Sequence, residues 1–187
     1  LQQQYEREFR VRKDDTEQYT GTDVDTFGAQ AQGGSELGET MLTFGVDYYH
    51  DTVDSFSRRQ KEVGGPFKNA IQGPVADDSS YDSLGLFVQD EFKVADDTRA
   101  IAGVRYTHSS VDAGRFEDPA TGDAASYTHD WDNVSLSGRL LHDVAKDASL
   151  FAGVSQGFRA PNLSDLTRFD VARSEEVEIA STDLDAE

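Results

Sequence analysis

Cysteine is absent from the 187 residues, so neither a disulfide framework nor a thiolate site is available. Methionine and tryptophan occur once each and proline four times. No run approaches the ~18 apolar residues of a membrane-crossing helix. That leaves open a crossing by strands, whose signature is far weaker. Basic residues are scarce: 17 Lys and Arg stand against 36 Asp and Glu, a net charge of −19. Such an acid excess argues against nonspecific binding to nucleic acid or to anionic lipid heads. The first residues, LQQQYEREFRVRKDD, have no basic n-region and no apolar h-region, so they do not read as a secretory signal. There is no initiator methionine, and with STDLDAE at the other end both termini read as cuts through a longer protein. A glycine-rich phosphate loop, a Ser/His/Asp spacing and a basic aromatic patch are all missing. The sequence therefore predicts no enzyme and calls for no cofactor.

What is present is punctuated β structure. Eleven Phe, seven Tyr and 16 Gly are too many for an acidic disordered segment. From Glu39 to Ser57, Leu42, Phe44, Val46 and Tyr48 share one parity while Thr43, Gly45, Asp47 and Tyr49 share the other. That is the period-two pattern of a strand. Ser80–Ala95 follows, with Leu84, Leu86 and Val88 opposed to Gln89 and Glu91. The segment from Thr98 sets Ala100, Ala102, Val104 and Tyr106 against Gly103, Arg105 and Thr107. Two further strands, Trp131–Ala145 and Asp147–Ala160, meet at Ala145–Asp147, and two weaker ones, Gln3–Lys13 and Asp23–Gln32, come first. About seven strands result. A helical turn is conceivable at Asn162–Thr167 or Ser174–Val177, and neither is assigned.

The connections alternate in length. Those at 34–38, 95–97 and 145–147 are short, whereas 58–80 and 113–130 are long and rich in Gly, Pro and Asp. Short turns on one rim and long loops on the other form the pattern of an outer-membrane barrel. Several strands extend to about 12–15 residues, more than the ~9–11 that cross a bilayer when tilted. In such a barrel the Leu42/Phe44/Val46/Tyr48 face meets lipid, and Asp47, Gln89, Glu91 and Arg105 line the interior. Periodicity alone also fits a soluble β-sandwich or a β-solenoid.

Near the C-terminus, GVSQGFRAPNLSDL runs an apolar strand into Phe158, Arg159, Ala160, Pro161, Asn162 and Leu163. It resembles a segment of TonB-dependent outer-membrane receptors, where a strand gives way through such residues to an extracellular loop. Leu84–His108 is similar to a hairpin of that family, on Gln89, Asp90 and Glu91 and then Gly103, Arg105 and Tyr106. Trp131–Phe158 resembles the next hairpin, and Asp185–Glu187 stands where such chains often carry a Pro-Glu pair, without the proline. The resemblance spans Glu39–Glu187. It implies an all-β antiparallel transmembrane barrel of roughly 22 strands, with short periplasmic turns and long extracellular loops. Residues 1–187 would form about seven of those strands, while the plug with its TonB box and the barrel-closing strands lie elsewhere. It further implies uptake of a scarce ligand (a ferric siderophore, haem, cobalamin or a glycan) with energy from the TonB complex acting through the plug. The implied location is the cell outer membrane, with outer-membrane lipid as a partner and iron transport among the roles. The rival class is a soluble acidic β-sandwich module of the carbohydrate-binding kind.

Each candidate site has a plainer account. Arg159 is placed to meet an anionic ligand or a plug carboxylate, while Ala160-Pro161 equally serves as a strand stop, since proline has no N–H to pair. His50, His108 and His129 sit near one rim and invite a metal or haem reading; His142 sits near the other. Asp14-Asp15, Asp77-Asp78, Asp96-Asp97 and Glu175-Glu176 lack the alternating spacing of a calcium loop and read as surface acidity, with Asp96-Asp97 a turn. Asp47 and Glu91 could be paired for acid–base work, but carboxylates are too numerous for that pairing to carry weight.

Overall fold

Strands with alternating faces satisfy their backbone N–H and C=O groups only by pairing with neighbours. A computed structural model describes residues 1–12, 15–61, 64–171 and 177–187. Its strands are β1 (Gln2–Val11), β2 (Glu17–Leu37), β3 (Thr40–Gln60), β4 (Lys68–Asn69), β5 (Ser79–Ala95), β6 (Thr98–Glu117), β7 (Ala124–Ala145) and β8 (Ala148–Ser155). A short helix α1 (Leu163–Thr167) and a two-residue pair, β9 (Asp170–Val171) and β10 (Val177–Glu178), complete the chain. The long strands form one antiparallel meander in the order β1-β2-β3-β5-β6-β7-β8, with β4 added beside β3. No second sheet packs face to face on it among the described residues, so the sandwich alternative is not what the chain builds.

At one end of the sheet the connections are two-residue turns: 38–39, 96–97 and 146–147. Gly38 adopts φ +70° there, a left-handed conformation that glycine takes at no steric cost. The opposite end holds the remaining connections and is here called the loop end. Strands reach further into it than their apolar pattern foretells. β2 starts at Glu17 and β3 runs to Gln60. Residues 113–130, expected as a long loop, are mostly strand, and only 118–123 join β6 to β7. Asp118 closes that turn, its carboxylate accepting from the Ala120 N–H at 2.7 Å and its carbonyl from the Gly122 N–H at 2.8 Å.

Two differences concern the C-terminal stretch. β8 stops at Ser155, short of the expected Ala160. The side-chain carbonyl of Gln156 accepts the Leu136 N–H at 2.9 Å, taking the place of the next backbone acceptor and ending the ladder. The unassigned turn at Asn162 is a helix. Asn162 and Asp165 form a reciprocal capping box, an arrangement worth about 1 kcal/mol. The other candidate turn, Ser174–Val177, lies largely outside the described residues, as do Glu175, Glu176 and Asp14.

One face of the sheet, called inner here, is covered at the loop end. Residues 70–78, residues 160–167 and Ala180 fold back over it and enclose Val53, Val111, Ala113 and Trp131 together with Ala76, Leu163 and Leu166. Gln72, 3% exposed, ties the two covering segments to the sheet. Its carbonyl accepts the Glu117 N–H at 2.7 Å and its amide donates to the Thr167 carbonyl at 2.7 Å. Thr167 is fully buried, and its hydroxyl accepts the Ala76 N–H at 3.0 Å. Gly73 lets the covering loop lie against β3, since a Cβ there would stand 2.4 Å from Ser55 Oγ.

Replacing Gln72 by Ala leaves the Glu117 N–H and Thr167 carbonyl without these partners, a loss of about 1–3 kcal/mol. In the intact protein we expect faster hydrogen exchange at Glu117 and across 70–78, with the centres of β3 and β5 unchanged.

Candidate functional site

Parity sorts the side chains into two environments. On the outer face, Phe44, Val88, Val104 and Leu136 occupy one cross-strand row. The next row is Val46, Leu86, Tyr106 and Val134. Most of these large side chains are exposed, and those of β3, β5 and β6 border an open concavity of about 660 Å³ on that face. A continuous exposed apolar surface of this extent marks contact with something other than water.

The inner face opposes this band with charge. Arg105 on β6 reaches across β5 to Asp47 on β3, donating from Nη1 to Oδ2 at 2.9 Å and from Nη2 to Oδ1 at 2.8 Å. Such a fork fixes direction as well as distance. The crossing is open because the intervening residue is Gly85, where a Cβ would lie 1.9 Å from Arg105 Nη2. Thr107 Oγ1 holds the guanidinium from behind, accepting from Nε at 3.3 Å.

The remaining predicted residues divide between the faces. Gln89 and Glu91 share the inner face, and Glu91 pairs with Arg99 at 3.1 Å. Asp47 and Glu91 therefore each have their own arginine and do not form an acid–base couple. Asp90 stands on the other parity, opposite Leu42 and Ala102. Gly103 makes room for Ser137, whose Oγ would be 2.8 Å from a Cβ.

The histidines do not converge. His50 and His108 are on the outer face, each bonded to an aspartate on the next strand: His50 Nδ1 to Asp82 at 2.8 Å, His108 Nδ1 to Asp132 at 2.9 Å. Tyr48 and Tyr106, two residues earlier, donate to the same two carboxylates. The two histidine strands are two ladder spacings apart, roughly 10 Å, too far for one ion. His129 lies on the inner face, between Tyr127 and Trp131, with ring centroids at 5.9 and 4.7 Å. His108, Asp130 and Asp132 have ligand atoms within 4.8 Å of one another, but Tyr106 and His108 already account for the Asp132 geometry. The Tyr-x-His spacing is legible in the sequence, as YYH at 48–50 and YTH at 106–108, and recurs as YTH at 127–129, where the ring faces inward.

No helix among the described residues is long and apolar enough to cross a membrane, which says nothing of strands. Residues 2–187 match the family model for the β-barrel of TonB-dependent receptor-like proteins. The chain belongs to that TonB-dependent receptor family. Its fold is similar to that of the copper transporter OprC, with a TM-score of 0.69 at 21% identity over 88% of this chain and 28% of that one. It is also similar to a double mutant of the Serratia marcescens hemophore receptor HasR, solved with its hemophore HasA and heme. There the TM-score is 0.66 at 18% identity over 91% of this chain and 30% of that one. The chain thus spans less than a third of either structure. No curated protein matches it. TonB-dependent receptors are transport receptors and not enzymes, and their place is the outer membrane.

In this receptor chain residues 158–162 of the motif are a coil that turns inward, with Ala160 and Pro161 buried. Arg159 is paired internally, 2.5 Å from Asp165, and its backbone exchanges two hydrogen bonds with Glu187, at 2.8 and 2.9 Å. Asn162 and Leu163 open α1. At the turn end, the hydrogen bond from Lys93 at 2.7 Å holds the exposed Asp96 carboxyl below its ordinary range.

A methyl group at residue 85 forces the flexible Arg105 guanidinium aside, so Gly85→Ala costs what the part-exposed ion pair contributes, about 1–2 kcal/mol. Asp47→Asn removes the same interaction. The double variant of the intact receptor should therefore unfold no earlier than the worse single variant; additive losses in thermal unfolding would contradict the shared cause.

Proposed function

We propose that this chain is part of the wall of an outer-membrane active transporter that takes up a scarce ligand with energy supplied through TonB. The wall closes into a barrel of roughly 22 strands around a plug, and the TonB complex acts through that plug. The outer rows centred on Phe44 and Val46 face lipid, the 38–39, 96–97 and 146–147 turns face the periplasm, and the loop end faces the exterior. The observation that carries this reading is the two-faced sheet: exposed apolar rows on one side and the Asp47–Arg105 pair directly behind them. A water-filled or plugged lumen accepts such a pair, whereas lipid does not. The family match and the likeness to two receptor structures support the same assignment.

The ligand is a small molecule or metal chelate that enters from the loop end. Siderophore-bound iron, haem, cobalamin and glycans are the classes to separate. Cells carrying the intact receptor should accumulate one of these, and loss of TonB or of the proton gradient should abolish that accumulation while leaving binding intact. Equal accumulation with and without TonB would overturn the reading.

A further inference from the structure

The tips of β1, β2 and β3 gather positive charge in an acidic chain. Among the described residues, 7–12, 15–17, 58–61 and 64–68 hold seven basic and three acidic side chains, where the whole chain carries −19. Parity splits the arginines: Arg7 and Arg58 lie on the outer face, over the Phe56 ring at 5.3 Å each. Arg10, Arg12 and Arg59 lie on the inner face. They line a partly enclosed cleft of about 110 Å³ between the strand tips and the covering loop at 70–74. Its floor is polar and buried. Gln18 accepts from Arg12 Nη2 at 2.9 Å and donates to Ser57 Oγ at 3.3 Å.

The three cations are not equally engaged. Arg10 is paired with Glu8 at 2.6 Å. Arg12 meets the neutral Gln18, and the buried Nε of Arg59 has no hydrogen-bond partner. A buried guanidinium N–H without an acceptor is costly, and a planar oxyanion is the group that a guanidinium fork fits best. Of the two carboxylates that line the cleft, Glu8 is taken up by Arg10, which leaves Glu117 beside these two cations. The cleft is too small for a whole chelate and large enough for one carboxylate or phosphate group.

We propose that Arg12 and Arg59 bind an oxyanion, a carboxylate or phosphate group carried by the ligand entering the loop end. This rests on the transport reading, deepens it to an anionic ligand class, and can fail alone. The test is calorimetry on the intact receptor in detergent at low salt, with citrate as the carboxylate probe and inorganic phosphate as the other. Arg12→Gln with Arg59→Gln should weaken the bound probe at least tenfold. Arg7→Gln with Arg58→Gln, which leaves the cleft untouched, should change it less than twofold. Arg59→Lys, retaining charge without the fork, should fall between them and guards against a misfolded double variant. The stronger of the two probes identifies the oxyanion. Unchanged affinity in the cleft variant, or equal loss in the outer-face variant, overturns the proposal. So does an intact receptor that binds neither probe yet imports a neutral or cationic ligand, a result that leaves the transport reading standing.

Discussion

The pairing of every long strand with its sequence neighbour is the constraint on which the rest depends. In a bilayer no water can satisfy an open backbone group, so a wall of strands must be continuous. A meander with two-residue turns meets this at low topological cost, since each hairpin forms from adjacent sequence. Once the ladder is set, register follows, and register places Phe44 beside Val88, Val104 and Leu136. A slip by one residue would send this row inward and Asp47 outward. The hydrogen-bond ladder and the two-faced chemistry therefore specify one another.

The inner face meets a different problem, because strand pairing does nothing to position polar side chains. Here the solution is lateral: Arg105 spans a whole strand to reach Asp47, and Gly85 removes the side chain that would block it. The ion pair links β3 to β6 without passing through the backbone of β5. That link resists shear between strands that share no hydrogen bonds. On the outer face the Tyr48–Asp82 and Tyr106–Asp132 contacts tie neighbouring strands just where the apolar rows end. Both phenols thus turn their polar ends to protein carboxylates at the edge of the band.

Much of the wall was legible in the sequence because each strand's middle keeps a clean alternation of apolar and polar residues. The legibility fails at the loop end for a physical reason. There Ser55, Ser57 and Gln18 are buried on the inner face, while Asp54 and Arg58 occupy the outer face, so neither parity is apolar and the pattern resembles a loop. Residues 113–130 lack a clean alternation in the same way. The tie from Gln72 to Thr167 spans 95 residues, and no local pattern announces it. Arg159 was conspicuous in an apolar run, yet its partner Asp165 lies only six residues on, inside a capping box that the sequence does spell.

Packing typical of a protein interior is found where residues 70–78 and the C-terminal segment cover β3, β5, β6 and β7, not at mid-sheet. Mobile loops would lose entropy on meeting a ligand. A covering segment already fixed by Gln72, Thr167 and the apolar cluster avoids much of that loss. Side chains mounted on this platform, Arg59 on β3 and Gln18 on β2 among them, are held by strands whose register is set many residues away. On the transport reading proposed above, selectivity at this end depends on rigid strand tips as much as on loop composition, and the ladder that builds the wall also sets the spacing of Gln18 and Arg59.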